Sequence, residues 1–358
     1  MSSDIYQELA EHLKVLPLGF PAAPSGVEMK ILRKLFTPEE AEIASRMTLE
    51  HESPGQLAER AGRQAEELGE VLERMLSKGL VDGKGPRGNR VYRAETYLNI
   101  HADLPPSRIG KEYVELFEQY LEEIFAEEMG KTGPPQIRAF PAKQVIPGDH
   151  EVLPFEQVSK MVADAKHYVI SDCPCCKKMK AIGRDCKRRA HRCVSLYRDD
   201  FGPEIRIEYR EGKRATRDEV ISLLRTVEEE GFVHTGSNIQ NGHSHICNCC
   251  PDCCPFLRSA RLNKSPHIIA PSNYVATIDA ESCNACGVCA EQRCPVHAID
   301  LGDDGYKVNP KRCLGCGACV LGCPSGALSL EHKEESQISV PPADTLQWIL
   351  HRRLREQK

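Results

Sequence analysis

Along the first part of the chain, apolar positions recur at steps of three and four residues, the spacing of amphipathic helices. Ser3 to Val15, Val27 to Phe36 and Pro38 to Met47 fit this pattern, with a loop carrying Pro17, Pro21 and Pro24 after the first. Ser53 is placed to cap a helix over Pro54 to Ala61. Gly62 breaks the pattern, and Gln64 to Lys78 resumes it as far as Gly79. Leu80-Val81 and Arg90-Val91-Tyr92 flank a glycine-rich turn, Asp82 to Asn89, which predicts a hairpin. Lys111 to Met129 carries Tyr113, Phe117, Tyr120, Leu121, Ile124 and Phe125 on one stripe, so a longer helix follows that buries this face in a core or against a partner. Pro134 and Pro135 mark a linker.

Beyond the linker the segments shorten. Ile137 to Ile146 reads as a bent strand, Phe155 to Ala165 as a helix and His167 to Ile170 as a strand. Thr216 to Glu230 reads as a helix, with Thr216 capping and Glu219 three residues on. From Tyr274 the pattern repeats. Strand-like Tyr274 to Ile278 and Tyr306 to Val308 each precede a cysteine run, and apolar Ala298 to Leu301 and Ala327 to Leu330 each follow one. Ala343 to Glu356 reads as a last amphipathic helix, with Leu346, Ile349, Leu350 and Leu354 on one face beside Trp348. The expected class is α+β. The expected boundaries are a helical domain over 1–100, a connecting helix and linker over 101–135, a cysteine-rich α/β domain over 136–272, a repeat domain over 273–332 and a tail helix over 333–358.

Composition changes this picture in one respect. The 358 residues include 18 cysteines, too clustered for a disulfide framework and better suited to metal in a reducing compartment. The start of the chain lacks the basic and apolar regions of a signal peptide, and no uncharged run is long enough to span a bilayer, so a cytoplasmic location is expected. The net charge of −5 points to neither a nucleic-acid binder nor a membrane-surface protein.

The cysteine runs carry the chemistry. Cys283, Cys286, Cys289 and Cys294 are followed by Pro295; Cys313, Cys316, Cys319 and Cys323 are followed by Pro324. Each is a C-x-x-C-x-x-C triplet with a more distant cysteine before proline, whereas zinc sites use C-x-x-C pairs. Three cysteines at steps of three can curl around one face of a cubane, and the fourth thiolate must come from elsewhere. Gly287, Gly315 and Gly317 between them permit positive φ and let backbone N–H groups approach the sulfurs. This stretch resembles the bacterial two-cluster ferredoxins. The resemblance implies two [4Fe–4S] clusters with crossed ligation: Cys283, Cys286, Cys289 and Cys323 on one, Cys313, Cys316, Cys319 and Cys294 on the other.

The middle region holds Cys173, Cys175, Cys176, Cys186, Cys193, Cys247, Cys249, Cys250, Cys253 and Cys254. It resembles the cysteine-rich region before the ferredoxin domain in some anaerobe iron–sulfur proteins, which implies a third metal site. Ligand type ranks a third [4Fe–4S] cluster first. Zinc comes second, with His191, His234, His243 and His245 nearby, and a redox dithiol such as Cys249-Cys250 third. Cys173 and Cys175 meeting Cys247 and Cys250 is the favoured ligand set. Between the two groups, Lys177, Lys178, Lys180, Arg184, Lys187, Arg188, Arg189 and Arg192 place eight positive charges in sixteen residues. A cluster held by four thiolates is anionic, so these cations could raise its potential or dock an acidic redox partner.

Helix, turn, helix and hairpin at the N-terminus resemble a winged helix. Its would-be recognition helix carries Glu66, Glu67, Glu70 and Glu73 against Arg74 and Lys78, which phosphate would repel, although the wing has Lys84, Arg87, Arg90 and Arg93. No Walker loop, nucleotide-binding glycine motif or nucleophile elbow is present, so no catalytic residue is named. The leading expectation is an electron-transfer component, a polyferredoxin-like subunit with redox partner proteins in a larger complex or a homo-oligomer. The alternatives are a redox-responsive DNA-binding regulator and an enzyme with chemistry at the middle cysteines.

Overall fold

A computed structural model describes residues 4–356 apart from 106–107, 109, 132, 147–151, 187 and 263–266. The chain mixes helix and strand and divides into two compact units. One comprises residues 1–128, 174–185 and 199–214; the other comprises residues 129–173, 186–198 and 215–358.

The first unit is mostly helical, and its helices start where polar side chains can satisfy free backbone N–H groups. Thr37 and Ser53 each form a capping box, with Glu40 and Gln56 respectively, and proline follows each cap. Gly62 and Gly79 end the Pro54–Ala61 and Ala65–Lys78 helices in left-handed conformations. The strands Val81–Lys84 and Val91–Ala94 pair antiparallel, Val81 opposite Ala94. Arg90 of this hairpin is buried, and its guanidinium lies 2.7 Å from Glu73, which also accepts from the Tyr92 hydroxyl at 2.5 Å. Arg90 is therefore held inside the unit. The aromatic stripe is core: Tyr120 and Phe125 pack around Tyr97 and Phe20, and the Lys111–Tyr120 helix runs into one π-helical turn, Leu121–Phe125.

The second unit is built on a sheet. Its strands lie side by side in the order His167–Asp172, Arg192–Tyr197, His245–Cys249, Val233–Ser237, Ile137–Ala139 and Ile269–Ala270. All neighbours are antiparallel except the last pair. Val194 and Ile246 pair across it and bury into a core with Phe140, Met161, Val162, Val220 and Leu224. The Arg217–Glu229 helix closes over that core, starting from the Thr216–Glu219 capping box. The repeat segment forms two further hairpin-like pairs. Tyr274–Ile278 pairs antiparallel with Leu328–His332, so the first and last strands of the repeat meet, and Ile299–Gly302 pairs with Gly305–Val308.

Arg138 ties distant parts of this unit together. It is 1% exposed and donates to Asn238 Oδ1, Glu156 Oε1, Pro271 O and Ser339 O at 2.9–3.0 Å. Glu156 Oε1 also accepts from the backbone N–H of Asn273. A second tight point is Gly315. Its φ is +63°, and a Cβ there would come within 2.2 Å of Ser272 Oγ and Tyr274 O. Gly315→Ala is expected to cost more than about 1 kcal/mol. Gly326→Ala, also at positive φ but in open space, should cost only its backbone strain. The urea midpoints of the two variants check the difference.

Candidate metal centres

Cys294, Cys313, Cys316 and Cys319 line one small pocket, whose remaining wall is largely apolar, with Ala276, Val296, Ile299 and Val308. Burial pushes the Cys316 thiol up to about 12, and burial plus the neighbouring thiols pushes Cys319 well above its ordinary range. Cys294 is raised by burial as well. Buried thiols this close keep their protons unless a cation replaces them, which makes them suited to metal and poor as free thiolates. Backbone N–H groups face the sulfurs: Ala298 donates to Cys294 at 3.1 Å and Gly315 to Cys313 at 3.4 Å. Four thiols around an apolar cavity with N–H donors fit an iron–sulfur cubane.

The other four cysteines lie nearer the surface. Cys289 is buried, and its thiol is raised by burial and by the charges of Cys283 and Cys323; Cys286 is exposed. Cys323 differs. Burial raises it, but hydrogen bonds from the Ser325 hydroxyl and nearby backbone N–H groups outweigh that and hold it below the ordinary thiol range. Gly287, Gly315 and Gly317 all take positive φ, as their positions between ligands led us to expect, and Tyr306 Oη would lie 2.9 Å from a Cβ at Gly287.

Local reading of the sequence missed the cations around the buried group. Arg293, half-buried, donates to Ala318 O and Glu229 O at 3.0 Å and senses Cys319 and Cys316. Arg312 bonds Val296 O at 2.6 Å and acts on Cys294. Lys333 bonds Ser272 O at 2.7 Å and senses Cys313. Burial lowers the pKa of Arg293 and of Lys333, the cost of holding a cation away from water. Beside the exposed group an acidic side chain, Glu291, acts instead on Tyr306.

The middle cysteines fall into distinct sets. In the second unit the sulfurs of Cys186, Cys250 and Cys253 lie within 4.8 Å of one another, and Cys186 Sγ is 3.4 Å from Cys250 Sγ. Burial pushes Cys186 up to about 11. Cys173, Cys193, Cys247, Cys249 and Cys254 form a separate network in the same unit, in which Cys193 lies beside Cys173 and Cys247, and Cys249 beside Cys247 and Cys254. Cys175 and Cys176 stand on the Pro174–Ala181 helix of the first unit. Both ring nitrogens of His234 are engaged, by Asn248 at 2.7 Å and Glu228 at 3.1 Å, which removes it as a metal ligand. His243 is buried edge-on to Phe140, and burial drops its pKa to about 4.

The basic run does not act as one face. Lys178 is buried and bonds His101 O, while Lys177 pairs with Glu211 at 2.9 Å and Arg184 with Glu118 at 3.4 Å, all within the first unit. In the second unit Arg188 pairs with Asp252, next to Cys253, at 3.1 Å, and Arg189 and Arg192 are exposed. Lys187 lies outside the described residues.

With this geometry in view, comparison with known proteins is decisive for one stretch. Residues 282–327 match the 4Fe-4S dicluster domain. The match takes in all eight cysteines of the two runs, so the C-terminal part of the chain is a ferredoxin-type domain that carries [4Fe–4S] clusters. Hydrogenase-4 component A of Escherichia coli is 32% identical over 88 residues, covering 23% of this chain and 41% of that protein. An uncharacterised ferredoxin of Methanocaldococcus jannaschii is 33% identical over 87 residues, 24% of this chain and 51% of that one. A component of the Na(+)-translocating ferredoxin:NAD(+) oxidoreductase complex of Acetobacterium woodii is 43% identical over 49 residues, 13% and 14% respectively. The chain spans about half or less of each of these relatives. An iron–sulfur electron-transfer role follows for the dicluster domain. Among the described residues no helix is long and apolar enough to cross a membrane.

Proposed function

We propose that this chain is an electron-transfer subunit with two [4Fe–4S] clusters at its C-terminal end and a third metal centre among the middle cysteines. The observation that carries the reading is the four-thiol cavity of Cys294, Cys313, Cys316 and Cys319. It unites the trailing cysteine of the first run with the triplet of the second, as crossed ligation requires. Cys283, Cys286, Cys289 and Cys323 would hold the other cluster. When bound, such clusters take up and release single electrons.

The surrounding residues give the two clusters different tasks. Arg293, Arg312 and Lys333 offset the negative charge of the buried cluster and raise its potential. The other group has an exposed ligand in Cys286 and Glu291 close by, which favours the oxidised form and gives a partner close approach. Electrons would therefore pass between a surface partner and the exposed cluster, and from it to the buried one. Cys186, Cys250 and Cys253 would hold the third centre, and Arg188 next to Asp252 would temper its charge. Two of the relatives carry names of oxidoreductase components, and we assign this chain a redox protein partner on the same grounds.

Anaerobic purification and reconstitution tests this. About eight irons and eight sulfides per chain are expected from the dicluster domain alone, and about twelve with a cubane at the third centre. Dithionite should bleach the visible absorbance, and a low-potential dye should restore it. A colourless protein, or fewer than about six irons after full reconstitution, overturns the reading.

A further inference from the structure

The middle unit contains more thiols than one centre can use, and the sheet sorts them. Along His245–Cys249, side chains alternate between faces, so Ile246 and Asn248 point one way and Cys247 and Cys249 the other. Val194 opposite Ile246 fixes the neighbouring strand, which sets Cys193 across from Cys247 on the cysteine face. Ser171 opposite Cys193 fixes the next strand, and the Cys173 N–H bonds His191 O at 2.7 Å, which brings Cys173 to that face too. Cys254, at the start of the Pro255–Arg261 helix, is in contact with Cys249. Cys173, Cys193, Cys249 and Cys254 are each at most 9% exposed.

The two vicinal pairs divide in a regular way. Of Cys249-Cys250, Cys249 joins the sheet-face network and Cys250 lies 3.4 Å from Cys186. Of Cys253-Cys254, Cys253 belongs with Cys186 and Cys250, and Cys254 with Cys249. Each vicinal pair therefore contributes one sulfur to each set. S–H groups are weak donors and acceptors, and five of them together, four of them buried, gain little over aliphatic packing. Thiolates around a soft cation gain a great deal. Thr235, opposite Cys247 on the next strand, has its hydroxyl 3.2 Å from Cys249 Sγ, the type of outer contact that orients a ligating sulfur.

We propose that Cys173, Cys193, Cys247 and Cys249, with Cys254 beside them, form a second all-thiolate metal centre in the middle unit, distinct from the centre of Cys186, Cys250 and Cys253. Its ligand is a thiophilic metal, either an iron–sulfur cluster or a single zinc ion. With it the chain carries four centres, and the vicinal pairs link the two middle centres through single peptide units.

Iron, acid-labile sulfide and zinc counts on the full-length, anaerobically reconstituted chain test this. Cys193→Ser/Cys247→Ser should lose one centre, about four irons with four sulfides for a cubane or one zinc. Cys250→Ser/Cys253→Ser should lose another, the quadruple variant should lose both, and the dicluster signals should persist throughout. Unchanged metal content in Cys193→Ser/Cys247→Ser overturns the proposal. So does equal loss in both double variants with no further loss in the quadruple one, since that describes a single shared centre. If Cys193→Ser/Cys247→Ser does not fold by far-UV circular dichroism, Cys173→Ser is read in the same way. Failure here leaves the dicluster iron intact, whereas failure of the electron-transfer reading does not.

Discussion

Cys323→Ser is expected to strip the cluster of Cys283, Cys286 and Cys289 and to spare the one beside its own run. The nearest cysteines in sequence to Cys323 are Cys319 and Cys316, yet those face Cys294 in the buried cavity. Cys289 instead senses Cys323 together with Cys283. The variant should lose about four of the eight irons of the dicluster domain. Pairing it with other changes locates the loss. Cys283→Ser/Cys323→Ser should lose no more iron than either single variant, because both remove ligands of one cluster. Cys313→Ser/Cys323→Ser should lose nearly all of it. The reverse pattern, with additivity between Cys283 and Cys323, would show that each run ligates its own cluster. Cys294→Ser offers the mirror test and should act with Cys313.

Arg138→Leu is expected to destabilise the second unit by about 3–5 kcal/mol, because it strips the buried Glu156 carboxylate of its paired cation. Four acceptors from separate segments lose their donor at once: Glu156, Asn238, Pro271 and Ser339. Burial already raises the Glu156 pKa in the intact protein, against the pull of Arg138 and of the Asn273 N–H. A carboxyl raised on folding contributes stability below its unfolded pKa and loses it as pH climbs through the folded value. Removing Arg138 raises the folded value further. The deficit of the variant should therefore be largest at neutral pH and shrink on acidification as Glu156 takes up its proton. Denaturant titrations at several pH values check this, and Arg138→Leu/Glu156→Leu should recover most of the loss. A deficit independent of pH would mean that the lost carbonyl contacts, and not the stranded charge, dominate.

Helix starts and ends were readable because their causes are local. Thr37, Ser53 and Thr216 bond N–H groups three residues on, and Gly62 and Gly79 take the left-handed conformation that ends a helix. Shorter elements were less so. The bent strand expected over Ile137 to Ile146 is a strand only over Ile137–Ala139, followed by a single turn at Lys143–Val145. The charge run misled for a related reason: spacing along the chain does not reveal that Lys178 is buried against His101 O while Arg192 stays in solvent.

The sequence by itself determined that residues 282–327 form a 4Fe-4S dicluster domain, because ligand spacing, glycines and the trailing Cys-Pro act over a few residues and leave a readable signature. Only the tertiary structure decided how the middle cysteines are grouped. That depends on which strands lie side by side and in what register, and register is set by Val194, Ile246 and the core beneath them, not by the spacing of the cysteines. The cations around the buried thiols were decided the same way: Arg293, Arg312 and Lys333 belong to no motif and reach their places only when the chain closes on itself.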